Sequence, residues 1–255
     1  MISAEKRLPE LQKVKMYIAD RNVYGIDLNP VAVELAEVSL WLNTIYEGGF
    51  VPWFGTQLVN GNSLIGARRQ CYRVENLTAT SKGLRWYENA PDRVPMGITR
   101  ADKNYQAHRK QIYHFLLGDP GMCSYSDKVI KSLEPVNIKK MVAWNKKFNE
   151  PYSDDDIATL LRLSAVIDSL WESQVKLRQE VEAKTQDNLS IYGWEDDLVD
   201  SHTSIRQKDK ILSELYKSEH MRNAGPYARL KFAMDYWCAL WFWPIEKADL
   251  LPSRS

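Results

Sequence analysis

The sequence predicts an α/β chain: part of a parallel sheet with its helices, followed by a mainly α-helical segment. Helix and strand patterns alternate twice within residues 1–67, and helical periodicity dominates from about residue 101 onward. With 44% apolar and 26% charged residues in 255, the composition is that of a folded globular chain rather than a disordered one. Residues 1–67 and 68–255 are therefore expected to be distinct parts.

From Glu5 to Asp20, Leu8, Leu11, Val14 and Ile18 fall at helical spacing between lysines, which predicts the first helix. Asn22 to Ile26 is short and β-prone and leads straight into Asp27, so a strand is expected to end there. Asn29 can cap the next helix, and Pro30 suits its first turn, where no N–H is required. Val31, Leu35, Val38 and Leu42 mark one face of that helix, which should stop near Gly48-Gly49. Thr56 to Val59 predicts a second strand, and Asn60-Gly61-Asn62-Ser63 a turn. Helix, strand, helix, strand at this spacing implies neighbouring strands of a parallel sheet.

Residues 68–104 are polar and broken by Pro91 and Pro95. Helices are predicted over about 101–117, 126–149, 153–186, 201–222 and 226–243. The third opens on Ser153-Asp154-Asp155-Asp156, an N-cap followed by acids that suit the helix dipole, and the last opens on Gly225-Pro226. No internal repeat or low-complexity tract occurs.

A net charge of +1 gives no global attraction to nucleic acid or anionic lipid, although local basic patches remain compatible with it. Cys71, Cys123 and Cys238 are too scattered for a zinc site or a disulfide framework, which fits a reducing cytoplasm. No metal site is expected. MISAEKRLPE holds no apolar signal core, and the apolar run Tyr236 to Pro244 is far shorter than the roughly 20 residues that span a bilayer. A cytoplasmic protein without membrane contact is the expectation.

The chemically suggestive stretch is VYGIDLNP, Val23 to Pro30. Ligands of open α/β sheets sit at the carboxyl ends of strands, where an acid can accept two hydrogen bonds from the diol of a ribose. Asp27 stands in that position. Leu28 beside it suits the face of an adenine, and the turn at Asn62 and Ser63 would lie next door, with a side-chain amide for the adenine edge. Asp27 and Asn29 equally suit a simple strand-to-helix turn, and on the residues alone both readings stand.

The run YGIDLNPVAVELAEVSLWLNT, followed after a short gap by LVNGNSLIGA, closely resembles the adenine-specific DNA methyltransferases of large restriction-modification and phage-defence proteins. The single-chain type II enzymes and those of the BREX and DISARM systems are the nearest likenesses. The resemblance covers roughly residues 20–67. It implies a Rossmann-like core that binds S-adenosylmethionine, with Asp27 on the cofactor ribose and Leu28 at the adenine. Asn62 falls where many relatives place an Asp that contacts the adenine amino group, and Ser63 follows it. Two motifs of the family are missing. Only about twenty residues precede the first strand, with no Gly-x-Gly, and no Asn/Asp-Pro-Pro-Tyr/Phe occurs; Asn29-Pro30-Val31 and Asp119-Pro120-Gly121 are the nearest strings. The chain thus resembles the middle of such an enzyme. No catalytic residue is assigned, cofactor affinity should be weak or absent, and DNA is a partner of the complete enzyme. A second chain carrying the missing half, or a second copy in a homodimer, is expected to complete the fold. The alternatives are a non-catalytic assembly module built on the same scaffold and an unrelated nucleotide-binding protein.

Other features carry less. Arg68-Arg69 and RADKNYQAHRK (Arg100 to Lys110) mix basic and aromatic residues as a nucleic-acid contact would, while the second also reads as a solvated helix face. His108, His114 and His220 have no acid at a suitable spacing and read as surface or packing residues. Leu160, Leu163, Ile167, Leu170, Val175 and Leu177 form a stripe that suits bundle packing. Phe232, Tyr236, Trp237, Leu240, Trp241 and Trp243 read first as a core helix and second as an interface.

Overall fold

The computed structural model describes residues 3–78, 85–95, 109–193, 202–216 and 224–254. The chain is mixed α/β and divides into two compact units, each built from two stretches: Met1–Ile65 with Val175–Gly225, and Gly66–Gln174 with Pro226–Ser255. Among the described residues no helix is long and apolar enough to cross a membrane.

The first unit opens with α1 (Ala4–Asn22), β1 (Gly25–Asp27), α2 (Pro30–Thr44) and β2 (Leu58–Asn60). β1 and β2 run parallel, with Gly25 opposite Leu58, Ile26 opposite Val59 and Asp27 opposite Asn60. Helix α2 makes the crossover and rests on both strands. It ends at Thr44, a turn earlier than Gly48-Gly49, and Gly48 supplies the left-handed φ of 77° beyond it. Two small cores hold the unit. Ala19, Phe54 and Leu58 pack with Val33, Ala36 and Leu40 of α2. Met16 is fully buried in a cluster with Leu189 and Ile191 of the later stretch, against which Val14, Tyr17, Tyr46 and Phe50 of the first stretch pack.

Of the residues that mark the predicted helix faces, Val14 packs toward Met16, but the others point elsewhere. Leu8, Leu11 and Ile18 of α1 and Val31, Leu35, Val38 and Leu42 of α2 are all exposed. The small residues Ala19 and Ala36 do the packing instead. The outer edge of β1 is also open. Gly25 N–H and Asp27 C=O are spent on the β2 side, so alternation turns the peptide groups of Ile26 outward, with no ladder partner among the described residues.

The second unit contains β3 (Gln70–Arg73), the short α3 (Val74–Leu77), β4 (Asp92–Arg93) and β5 (Gln111–Tyr113). β3 is the centre of a three-stranded antiparallel sheet, between β4 and β5. The helix predicted over about 101–117 is therefore corrected within its described part: 111–113 is a strand, and His114–Leu116 is one 3-10 turn. Both faces of this sheet are buried. Cys71 and Tyr113 enter one cluster with Phe115 and Ile167, while Tyr72 and Ile112 enter another with Leu77 and Trp86.

Helices α4 (Lys128–Leu133) and α5 (Pro135–Phe148) replace the single helix predicted over 126–149. Pro135 forces the break, since the residue before a proline avoids helical geometry, and Glu134 has ψ 52°. α6 (Asp154–Thr185) follows, with Ser153 and Asp156 bonding reciprocally at its start. Within 201–222 the described helix is α7 (Ile205–Tyr216), a part of the first unit. α8 (Pro226–Ala239) carries Leu230 into the sheet cluster, and Trp237 Nε1 donates to Leu117 C=O at 3.1 Å.

Candidate functional site

Asp27 is the last residue of β1, and its side chain is tied into the turn that follows: Asn29 N–H donates to Oδ1 at 2.8 Å. Asn29 in turn accepts from Val31 N–H at 3.0 Å and so caps α2. The turn-building role thus occupies one carboxylate oxygen. Oδ2 has no protein hydrogen bond among the described residues and lies by the start of α2, where amide dipoles favour negative charge. Leu28 is 71% exposed.

The parallel pairing brings the second loop alongside. Gly61 N–H donates to Asp27 C=O at 2.9 Å, so the chain beyond β2 leaves directly beside Asp27. Asn62 Oδ1 accepts from Leu64 N–H (2.9 Å) and Ile65 N–H (3.2 Å), which folds this loop into a tight turn. Its Nδ2 carries no hydrogen bond among the described residues, and both Asn62 and the neighbouring Ser63 are exposed. All four sequence-assigned residues, Asp27, Leu28, Asn62 and Ser63, therefore meet on one edge, at the carboxyl ends of β1 and β2. One residue there was missed. Asn60 Nδ2 donates to Asp27 C=O (3.0 Å) and Leu28 C=O (2.9 Å), fastening the two strand ends together. A polar residue closing an apolar strand was its only signal.

At the opposite ends of the strands lies a cleft of about 240 Å³, bordered by Asp20, Tyr24, Trp53 and Gln57. Gln57 Nε2 donates to Ala19 C=O (3.1 Å) and Val23 C=O (2.9 Å), so this buried side chain splices α1 to the start of β1. Burial pushes the Asp20 carboxyl above its ordinary range, against the pull of nearby Lys208. Lys208 itself is buried in an ion pair with Asp187, which also accepts from Thr203 N–H at 2.9 Å.

The remaining candidates are structural in their contacts. His114 Nε2 lies 2.9 Å from Arg68 N, and its ring meets Trp237 edge-on at 4.9 Å. Burial holds its pKa below the usual value. His108, His220 and residues 100–108 of the basic–aromatic stretch lie outside the described residues. Of the α6 stripe, Leu160 and Ile167 are buried while Leu163 is exposed. The tail helix is divided: Leu240 is buried, whereas Phe232 and Tyr236 are exposed and stack on each other. Cys71 and Cys123 are buried, and all three cysteines are free thiols. Among the described residues no group of His, Cys, Asp and Glu could hold a metal ion.

Comparison with protein-family models, with curated proteins and with solved structures found no match to this chain.

Proposed function

We propose that this chain is the middle portion of an S-adenosylmethionine-dependent, adenine-specific DNA methyltransferase of the restriction-modification or phage-defence kind, inactive by itself. In this reading β1, α2 and β2 are half of a Rossmann-like sheet. The observation that carries it is the junction of Asp27, Leu28 and the Asn62-Ser63 loop on one exposed strand-end edge. The ribose and adenine parts of the cofactor fit these residues: Asp27 Oδ2 accepts from the diol, Leu28 covers one base face, and Asn62 Nδ2 donates to the base edge. Such a cofactor supplies the methyl group. No side chain here is assigned to its methionine end or to the target base, and a DNA methyltransferase must hold its target base out of the helix.

The expected affinity of the chain for S-adenosylmethionine is weak, about millimolar, and transfer of labelled methyl to DNA should stay at the cofactor-only blank. Calorimetric titration tests the first. Asp27→Ala should abolish any binding seen. Because that substitution also frees Asn29 N–H, Asp27→Asn belongs beside it: the amide oxygen can keep the turn while the charge is lost. Binding that survives both substitutions overturns the ribose assignment, and methylation by the chain alone overturns the claim of inactivity.

A second reading, a non-catalytic assembly module on the same scaffold, is favoured by one observation. The Oδ1 atoms of Asp27 and Asn62 are both already used to build turns. It predicts no cofactor binding even after a partner chain is supplied.

A further inference from the structure

The cleft at the amino-terminal ends of β1 and β2 has no part in the cofactor reading, and its walls belong to the first unit alone. Asp20 and Arg21 come from the last turn of α1, Tyr24 from the chain entering β1, and Trp53 and Gln57 from the segment leading into β2. Each lies well inside a described stretch. At about 240 Å³ the cleft has room for roughly eight water molecules at ~30 Å³ each, or for one small organic group.

Its inner wall presents acceptors. Gln57 is only 7% exposed, and its Nε2 is spent on Ala19 C=O and Val23 C=O. Its Oε1 has no hydrogen bond among the described residues, yet it is not sealed from solvent, which leaves it open to the cleft. A buried amide oxygen without a partner is a cost that a ligand N–H removes. The Asp20 carboxylate is half-buried and also accepts no hydrogen bond among the described residues. An exposed acid is hydrated and needs no partner. Asp20 has lost part of its hydration without gaining a donor in exchange. Lys208 attracts it but is committed to Asp187, whose charge opposes that of Asp20.

The cations at the cleft are already spent. Arg21 Nη2 donates to Asp187 C=O at 2.9 Å, and its guanidinium covers the Tyr17 ring at 4.4 Å. Arg178 takes the rim acid Glu182 at 2.9 Å. It also lies over the Tyr24 ring, 5.5 Å from the centroid, so this aromatic wall already accepts one guanidinium. Trp53 adds a second ring, held by Nε1 donating to Asp209 at 2.9 Å. Aromatic faces attract flat cations.

We propose that this cleft binds an amidinium or guanidinium group, the flat organic cation whose paired N–H donors serve Asp20 and Gln57 Oε1 and whose face meets an aromatic wall. The chemistry of the cleft stands whichever reading of Asp27 holds.

The test is an NMR titration of the whole 255-residue chain, isotopically labelled at tryptophan, following the Trp53 indole N–H, which is identified by its loss in Trp53→Phe. Benzamidine is the probe; benzamide, its neutral isostere, and benzoate, an anion of similar shape, are the controls. Benzamidine should move the Trp53 resonance saturably, and benzamide should bind on the order of tenfold more weakly. Asp20→Asn should lower benzamidine affinity by about the same factor, whereas Asp249→Asn, in the second unit, should leave it unchanged. Asp20→Asn keeps the shape of the side chain, and a circular dichroism melt shows whether it folds; if it does not, the contrast between benzamidine and benzamide on the unaltered chain decides. An acetylated, amidated arginine is titrated alongside. Tighter binding than benzamidine assigns the cleft to an arginine side chain of a partner, weaker binding to a free cation, and either supports the site. A Trp53 resonance that benzamidine does not move at low salt overturns the proposal. So does equal affinity for benzamide, a preference for benzoate, or benzamidine binding indifferent to Asp20→Asn.

Discussion

Asp20, in the last turn of α1, and Asp27, at the end of β1, flank the same short strand and live under opposite conditions. Asp27 is exposed at an anion-favouring helix start. Asp20 faces a cleft where burial outweighs the attraction of Lys208, so its folded-state pKa lies above its ordinary 3.8. The folded chain therefore holds the Asp20 proton more tightly than the unfolded chain does. Stability falls as pH rises through the carboxyl range, and the penalty persists at neutrality. Asp20→Asn should raise the stability of the first unit near neutral pH. That gain should vanish in acid, where both states are protonated. Urea unfolding of the two proteins at neutral and acid pH measures it; an Asn variant less stable at neutrality would mean that Lys208 depends on this carboxylate.

Helix α2 shows what an element inherits from its sequence and what it does not. Its start was legible, since Asn29 and Pro30 act through local hydrogen bonding and backbone geometry. Asn29→Ala should cost about 1 kcal/mol, read as a lower urea midpoint for the first unit. An unchanged midpoint would show that the turn holds without its cap. The direction in which α2 packs was not legible. Its large residues look like a core stripe, yet Ala36 and Val33 meet Leu58 while Leu35 and Leu42 stay outside. β5 was missed for a related reason. Ile112 and Tyr113 enter cores on opposite faces of the sheet, so no alternation of polar and apolar residues marks the strand. At the candidate site the strand end at Asp27 was readable from eight residues. The Asn60 clamp was not, because it exists only once the two strands lie side by side.

On the scale of the molecule, the exposed stripes of α1 and α2 and the outward peptide groups of Ile26 form an apolar, unpaired border on the first unit. Surfaces of that kind mark interfaces, and open strand edges accept another strand. The chain is expected to self-associate or to capture a polypeptide that supplies a strand beside β1. Sedimentation velocity over a range of concentrations, alone and after co-expression with neighbouring reading frames, checks this. A strict monomer that captures nothing would count against both the split-enzyme reading and the assembly-module reading.

The paired stretches of each unit also govern the order in which the protein can be made. Leu189 and Ile191, which help to enclose Met16, leave the ribosome much later than it does. Roughly a hundred residues of the second unit are translated in between, about 5–20 s of synthesis at ~5–20 residues per second. The second unit in turn waits for Leu230 and Trp237 before its sheet cluster closes. Neither unit completes before the other has begun, so the nascent chain carries Met16 without its cover while the intervening residues are made. That makes it a natural client for a chaperone that binds apolar segments near the exit tunnel.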